Sequence, residues 1–311
     1  MSSTSRARLV LPIRNGDRVH GFIGRRHPGL ADHDKGGPKY LNTPATDLFD
    51  KSAQLFGLTE AGTALDAGAT PVLVEGFFDA IAVTLSAGGQ HVGLAALGTS
   101  VTADQANALR PYIGAQRPGV IVATDADLAG EIAAQRAFWM LTARGDTPRH
   151  LAMAGGQDPA EVLERGGPTA LRAALEDAQP LARHLLDERL NHLGDNPQVL
   201  AECAAIIAAQ PPHTWMEQIG YAAGRTNPGC GSLREAVADA AQRWTLDPLG
   251  NAQAQIGDLS SVQTRLRQGE RLWADGTADL DLATSVAAKG RLQRGQSMGT
   301  NPERHPSRPL R

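Results

Sequence analysis

Three short apolar runs in the middle of the chain each lead into acidic residues. They read Val72-Leu73-Val74-Glu75-Gly76-Phe77-Phe78-Asp79, Val120-Ile121-Val122-Ala123-Thr124-Asp125-Ala126-Asp127 and Leu151-Ala152-Met153-Ala154-Gly155-Gly156-Gln157-Asp158. Between 71 and 154 such runs alternate with helical periodicity. Strands are predicted at 71–75, 92–97, 119–124 and 149–153, and helices at 78–87, 103–110 and 129–144. Alternation at this pitch predicts a parallel sheet with right-handed crossovers. Thr102 with Gln105 predicts a capping box on the second of these helices. Upstream, Leu9-Val10-Leu11-Pro12-Ile13 and Val19-His20-Gly21-Phe22-Ile23 flank Asn15-Gly16, which predicts a β-hairpin over 8–25. Residues 27–57 read as loop, punctuated by Gly36-Gly37-Pro38 and Thr43-Pro44. From 159 to 245 the pattern is helical, with helices at 168–177, 180–192 and 197–209 and breaks at Pro211-Pro212 and Asn227-Pro228-Gly229; a further helix is predicted at 258–274. The fold class is therefore α/β, a parallel sheet flanked by helices, preceded by a short β-rich segment and followed by a helical region.

Length and charge narrow the picture. A chain of 311 residues is long enough for about two domains and a substantial core. Its net charge of −3 does not advertise nucleic-acid binding, so any basic surface must be local. One local excess lies between Arg6 and Lys51, where nine Lys or Arg face five Asp or Glu. A second lies between Lys289 and Arg311, where six basic residues, one acid and three prolines predict a disordered basic tail. The two cysteines, Cys203 and Cys230, have no CxxC spacing, which excludes a four-cysteine zinc ribbon and fits a reducing compartment. The N-terminus lacks an apolar signal core and no apolar stretch is long enough for a membrane span, so the expected setting is cytoplasmic, with no membrane partner.

In an open parallel sheet, ligands bind in the crevice beyond the carboxyl ends of the strands. Glu75, Asp79, Asp125, Asp127 and Asp158 would gather there. Such a cluster repels itself unless a divalent cation neutralises it, and hard carboxylate oxygens select Mg²⁺ or Mn²⁺. Glu75 ends an apolar strand, where burial of a charge is costly, and Gly76 beside it allows close approach of a substrate. A carboxylate so placed can exchange protons with a hydroxyl or phosphate oxygen. Asp125 and Asp127 can face one cation from a single turn. Asp79 in a first helical turn and Asp158 before Pro159 also have ordinary readings, as a dipole complement and a helix cap.

The acid motifs resemble those of the Toprim domain, shared by topoisomerases and DnaG-type primases. Leu11-Pro12-Ile13-Arg14, Gly21-Phe22-Ile23-Gly24-Arg25, Pro38-Lys39-Tyr40-Leu41-Asn42-Thr43-Pro44 and Leu48-Phe49-Asp50-Lys51 are similar to the segment preceding Toprim in bacterial primases. So is Ala95-Ala96-Leu97-Gly98-Thr99-Ser100-Val101-Thr102. The resemblance covers residues 8–190 in unbroken order. It implies an RNA-polymerase core that makes primers on single-stranded DNA from ribonucleoside triphosphates. Glu75 would be the acid/base residue, and Asp125 and Asp127 would hold Mg²⁺ or Mn²⁺ with Asp79 and Asp158 in the cluster. Arg14, Arg25, Lys39 and Lys51 match basic positions of the primase pattern and would neutralise template phosphates or the triphosphate; Tyr40 and Asn42 would add stacking or sugar contacts. The expected organisation is a partial primase-core subdomain over 1–58, a Toprim domain over 59–160, a helical subdomain over 161–245, and a helical and linker segment with the basic tail over 246–311.

Three departures qualify this expectation. The cysteine pattern of the family's N-terminal zinc-binding module is absent, so no zinc is expected, and a separate zinc-binding or primase subunit is a candidate partner. Ala160 stands where the family usually has another acid, and Ala126 and Leu128 replace a common Gly and Arg. Two other function classes compete. One is a non-catalytic primase remnant that binds single-stranded DNA or replication proteins, favoured by the thinned motifs. The other is a Toprim nuclease, opposed by the segment from Pro38 to Pro44. A topoisomerase is disfavoured, since Tyr40, Tyr112 and Tyr221 are the only tyrosines and none marks a nucleophile domain. The helical region after 180 suggests a docking site for a replicative helicase, by position alone.

Overall fold

The computed structural model of the chain describes residues 8–27, 29, 38–44, 49–98, 100–114, 116–192, 197–225 and 230–274. The predicted basic tail, Gly36-Gly37, Leu48, Thr99 and the break at Asn227-Pro228-Gly229 lie outside the described residues. One compact unit runs to Thr264; the second begins at Arg265, and its described residues are helical.

The strands are β1 (Arg8–Asn15), β2 (Arg18–Arg26), β3 (Tyr40–Asn42), β4 (Leu55–Phe56), β5 (Thr70–Val74), β6 (His91–Ala96), β7 (Ile121–Ala123), β8 (Arg149–His150) and β9 (Gln179–Pro180). The helices are α1 (Leu58–Asp66), α2 (Phe77–Ser86), α3 (Ala103–Ala108), α4 (Leu128–Thr142), α5 (Pro159–Glu176), α6 (Leu181–His192), α7 (Pro197–Ala208), α8 (Trp215–Ala223), α9 (Cys230–Leu246) and α10 (Pro248–Ala274).

The predicted hairpin is present: β1 and β2 pair antiparallel around Gly16, and β3 adds a third strand to make the order β1-β2-β3. The second sheet has the order β4-β6-β5-β7-β8-β9. Its centre, β6-β5-β7-β8, is parallel, as the strand–helix alternation requires. The edges are not. β4 and β9 run antiparallel to their neighbours, so the sheet is mixed rather than wholly parallel. From β5 the chain crosses by α2 to β6 on one side, and then returns past β5 to β7 on the other. That reversal of strand order opens a crevice at the carboxyl ends of β5 and β7.

Side-chain alternation assigns a core to each face of this sheet. Val72, Val74, Ile121 and Ala123 pack with Phe77 and Val83 of α2 and Leu171 and Leu175 of α5, and also with Ile13, Ile23 and Phe49 from the N-terminal segment. Leu73, Val92, Leu94 and Val122 face the other way, onto Phe138 and Leu141 of α4 and the helices from α6 onward. Leu94, Leu141, Leu171 and Leu175 are fully buried, and each contributes about 1.5–3 kcal/mol by leaving water.

Thr102 and Gln105 form the predicted capping box on α3. Other expectations need correction. The fourth predicted strand, 149–153, shrinks to the two residues of β8, because Leu151 is the last to donate to β7, at Val122 O. The helix predicted at 168–177 starts earlier, at Pro159, and bends where Gly167 adopts φ 74 before Pro168. The last helix begins at Pro248 rather than 258. The region 27–57 contains β3 and β4, and α1 follows it without having been predicted.

Candidate functional site

The crevice at the ends of β5 and β7 collects the predicted acids. Glu75 follows the last residue of β5 and turns its Oε1 to the backbone N–H of Asp125, 3.0 Å away across the strand gap. A small apolar cavity of about 30 Å³, lined by Leu73, Val74, Val122, Ala133 and Ala137, lies beside Glu75. That apolar surrounding desolvates the carboxyl and pushes its pKa above the usual glutamate value; Asp125 and Asp127 push the same way, against the hydrogen bond from Asp125.

Asp125 and Asp127 lie on the turn between β7 and α4. Asp127 caps α4, its Oδ1 accepting from Gly130 N at 2.9 Å. Gly130 is required there, since any Cβ would collide with the backbone carbonyl of Asp125. Asp158 caps α5 in the same manner, accepting from Glu161 N at 2.7 Å. Two helix N-termini therefore open on the crevice, and their partial positive charge suits phosphate oxygens. Asp79, in the first turn of α2, accepts from Ala160 N at 3.2 Å and thereby ties α2 to the start of α5. Burial first and the Asp158 charge second raise its pKa to about 6. The Asp125 carboxyl is also raised, by partial burial and then by Asp127, Asp158 and Glu161.

The open part of the crevice has a volume of about 280 Å³ and is lined by Asp125, Ala126, Asp127, Gly156, Asp158 and Glu161. Glu161 was missed in the sequence, where a Glu three residues after Asp158 looks like an ordinary first-turn acid. Among the described residues, no three of these side chains converge closely enough to enclose an ion as they stand. The donor set nevertheless fits a divalent cation. It is made of hard oxygens, and Glu75, Asp127 and Asp158 each use a single oxygen in the bonds described above. Burial first, and neighbouring carboxylates after it, raise the pKa values of Glu75, Asp79 and Asp125, and a cation held there would favour their ionised forms.

The predicted basic residues divide. The Arg25 guanidinium stacks 4.4 Å from the Phe78 ring centre, next to Asp79 in sequence, and 5.7 Å from Tyr40. Lys39 Nζ stands 5.5 Å from the Tyr40 ring, and Tyr40 meets Phe77 edge-on at 5.7 Å. The three-stranded sheet thus meets the acid motif through a cationic and aromatic seam. Arg14 instead faces Glu60 of α1 at 3.9 Å. Lys51 contributes its carbonyl, which accepts from Gln105 Nε2 at 3.0 Å. Asn42 is exposed on β3, in register with Ile23.

Comparison with known proteins follows the same division. Residues 1–62 match the family described as DNA primase catalytic core, N-terminal domain, and residues 72–163 match the family described as Toprim-like. A DNA primase of Salmonella typhimurium is 36% identical over 215 residues, covering 67% of this chain and 35% of that protein. A DNA primase of Clostridium acetobutylicum is 34% identical over 192 residues, covering 61% of this chain and 29% of the relative. A solved structure of the DnaG primase catalytic domain bound to ssDNA is 30% identical with a TM-score of 0.54, covering 76% of this chain and 69% of that one. The chain spans about a third of the length of the curated relatives it matches. Toprim domains use divalent metal. Among the described residues, no helix is long and apolar enough to cross a membrane.

Proposed function

We propose that this chain, which belongs to the family of DnaG-type primase catalytic cores, synthesises RNA primers on single-stranded DNA at the crevice between β5 and β7. The observation that carries the reading is the meeting of Glu75, Asp125, Asp127 and Asp158 at the mouths of two helix N-termini. Asp125 and Asp127, with Asp79 and Asp158, would hold Mg²⁺ or Mn²⁺. A divalent cation held there supplies charge neutralisation at the phosphates. The N-termini of α4 and α5 orient the triphosphate of an incoming ribonucleotide, so that the 3′-hydroxyl of the primer end attacks its α-phosphate and pyrophosphate leaves. Glu75 receives the hydroxyl proton; its pKa, raised by burial, makes the ionised carboxylate a stronger base than a free glutamate.

Arg25 and Lys39, with Tyr40, extend this site onto the three-stranded sheet. There we place the template strand, with phosphates on the cations and bases on the rings. Arg14, Asn42 and Lys51 would flank it. The setting is cytoplasmic, and a replicative helicase and a separate zinc-binding subunit are the proposed protein partners.

The test is primer synthesis on single-stranded DNA with labelled ribonucleotides. Wild type should extend, whereas Glu75→Gln and Asp125→Asn should each lose at least about 100-fold in rate while retaining single-strand binding. Intact binding with no product from the wild type would instead identify a non-catalytic DNA-binding remnant.

A further inference from the structure

The third acid motif departs from the family at Ala160, yet the crevice does not lose a carboxylate there. In the first turn of α5, consecutive side chains point about 100° apart. Ala160 packs against the apolar cluster that contains Phe77 and Leu151. Glu161 lines the open crevice with Asp125, Asp127 and Asp158. Its backbone is fixed in place, because Asp158 takes its N–H as the cap of α5.

A first-turn Glu can simply complement the helix dipole or complete a capping box. Asp158 makes the first half of such a box, but the reciprocal bond from its backbone N–H to the Glu161 carboxylate is not formed. The described charged partner of that side chain is Arg165, at 3.9 Å and largely exposed, a pair too loose to hold it.

We infer that Glu161 is a divalent-cation ligand of this site, supplying from the next position of the helix the carboxylate that Ala160 lacks. The inference rests on the reading of the crevice as a divalent-cation site. It assigns the third motif as Asp158 plus Glu161, on one helix turn and facing Asp125 and Asp127.

The test is Mn²⁺ affinity of the full chain, measured by calorimetry and by the loss of the free-ion paramagnetic resonance signal. Four proteins are compared: wild type, Glu161→Gln, Glu164→Gln and Asp125→Asn. Glu164 is exposed on the same helix and does not line the crevice, so its substitution removes the same charge without removing a ligand. Glu161→Gln should weaken Mn²⁺ binding by at least about tenfold, with Glu164→Gln within about twofold of wild type. Thermal unfolding without metal should show all four proteins folded. Affinity of Glu161→Gln equal to that of Glu164→Gln, with Asp125→Asn weakened, would overturn the role of Glu161 and leave the cation site standing. A wild type that binds no Mn²⁺, or an Asp125→Asn variant that binds like wild type, would overturn the cation site itself.

Discussion

Glu75, Asp79 and Asp125 at the crevice and Glu188 in the helical region are all pushed up in pKa by burial, but their charges meet different surroundings. In the helical region, Glu188 of α6 rises to about 7, held down partly by Arg189 beside it. Arg189 is itself buried, donates to Glu188 at 2.5 Å, lies 3.4 Å from Glu202 of α7 and donates to Gln135 of α4 at 2.8 Å. Gln135 in turn donates to both Glu188 oxygens at 3.1 Å. This cluster carries its own cation and joins three helices. At the crevice, among the described residues, no basic side chain pairs with Glu75, Asp79, Asp125, Asp127 or Asp158. The acids of the helical cluster carry an internal counter-charge; the acids of the crevice, among the described residues, do not.

The largest expected effect lies in the helical cluster. Arg189→Met removes the cation beside the largely buried carboxylates of Glu188 and Glu202 and should cost about 3–5 kcal/mol of stability, read by urea unfolding. Saturating Mg²⁺ should stabilise wild type and variant alike, through the crevice intact in both, and leave the difference between them unchanged. A difference that closes would mean that the two groups of acids respond to the same ion and that the contrast is false.

The crevice should behave in the opposite way. Mg²⁺ in roughly hundredfold excess over its dissociation constant should stabilise the wild type by about 2.7 kcal/mol, read as a rise in thermal midpoint. The rise should be larger at pH 8 than at pH 5, because protons compete for Asp79 once the pH falls below about 6. A pH-independent rise would place the ion elsewhere.

The smallest effect is also the one with the unexpected sign. The folded pKa of Asp79 lies above its unfolded value, so the folded state binds more protons between pH 3.8 and about 6. The ionised group therefore opposes folding above pH 6, and that penalty fades as the pH falls through the window. Asp79→Asn keeps an oxygen to accept from Ala160 N and removes the charge. It should raise stability by about 1 kcal/mol at pH 8, with the gain vanishing near pH 4. A loss of stability at pH 8 would show that the charge is compensated inside the protein.

The centre of this fold was legible because its signals are local. Asn15-Gly16 sets the hairpin, apolar runs of five or six residues set β5 and β6, and Thr102 with Gln105 sets the start of α3. The acids were legible because strand ends converge in a parallel sheet, whatever the intervening sequence. The edges were not. β4, β8 and β9 have two residues each and exist through their pairing partners rather than their own propensity. Helix α1 starts after Gly57 with no side-chain cap and contains Gly62, so nothing announces it. The approach of Arg25 to Phe78 joins residues that lie far apart in sequence, and the separate faces of Ala160 and Glu161 emerge only once α5 is wound from Asp158.

The most direct measurement is template-directed ribonucleotide incorporation on single-stranded DNA by wild type, Asp125→Asn and Arg189→Lys, at a temperature where all three are folded. Wild type and Arg189→Lys should give product, and Asp125→Asn should lose at least about 100-fold in rate. Product from Asp125→Asn at the wild-type rate would contradict the placement of the reaction at the crevice.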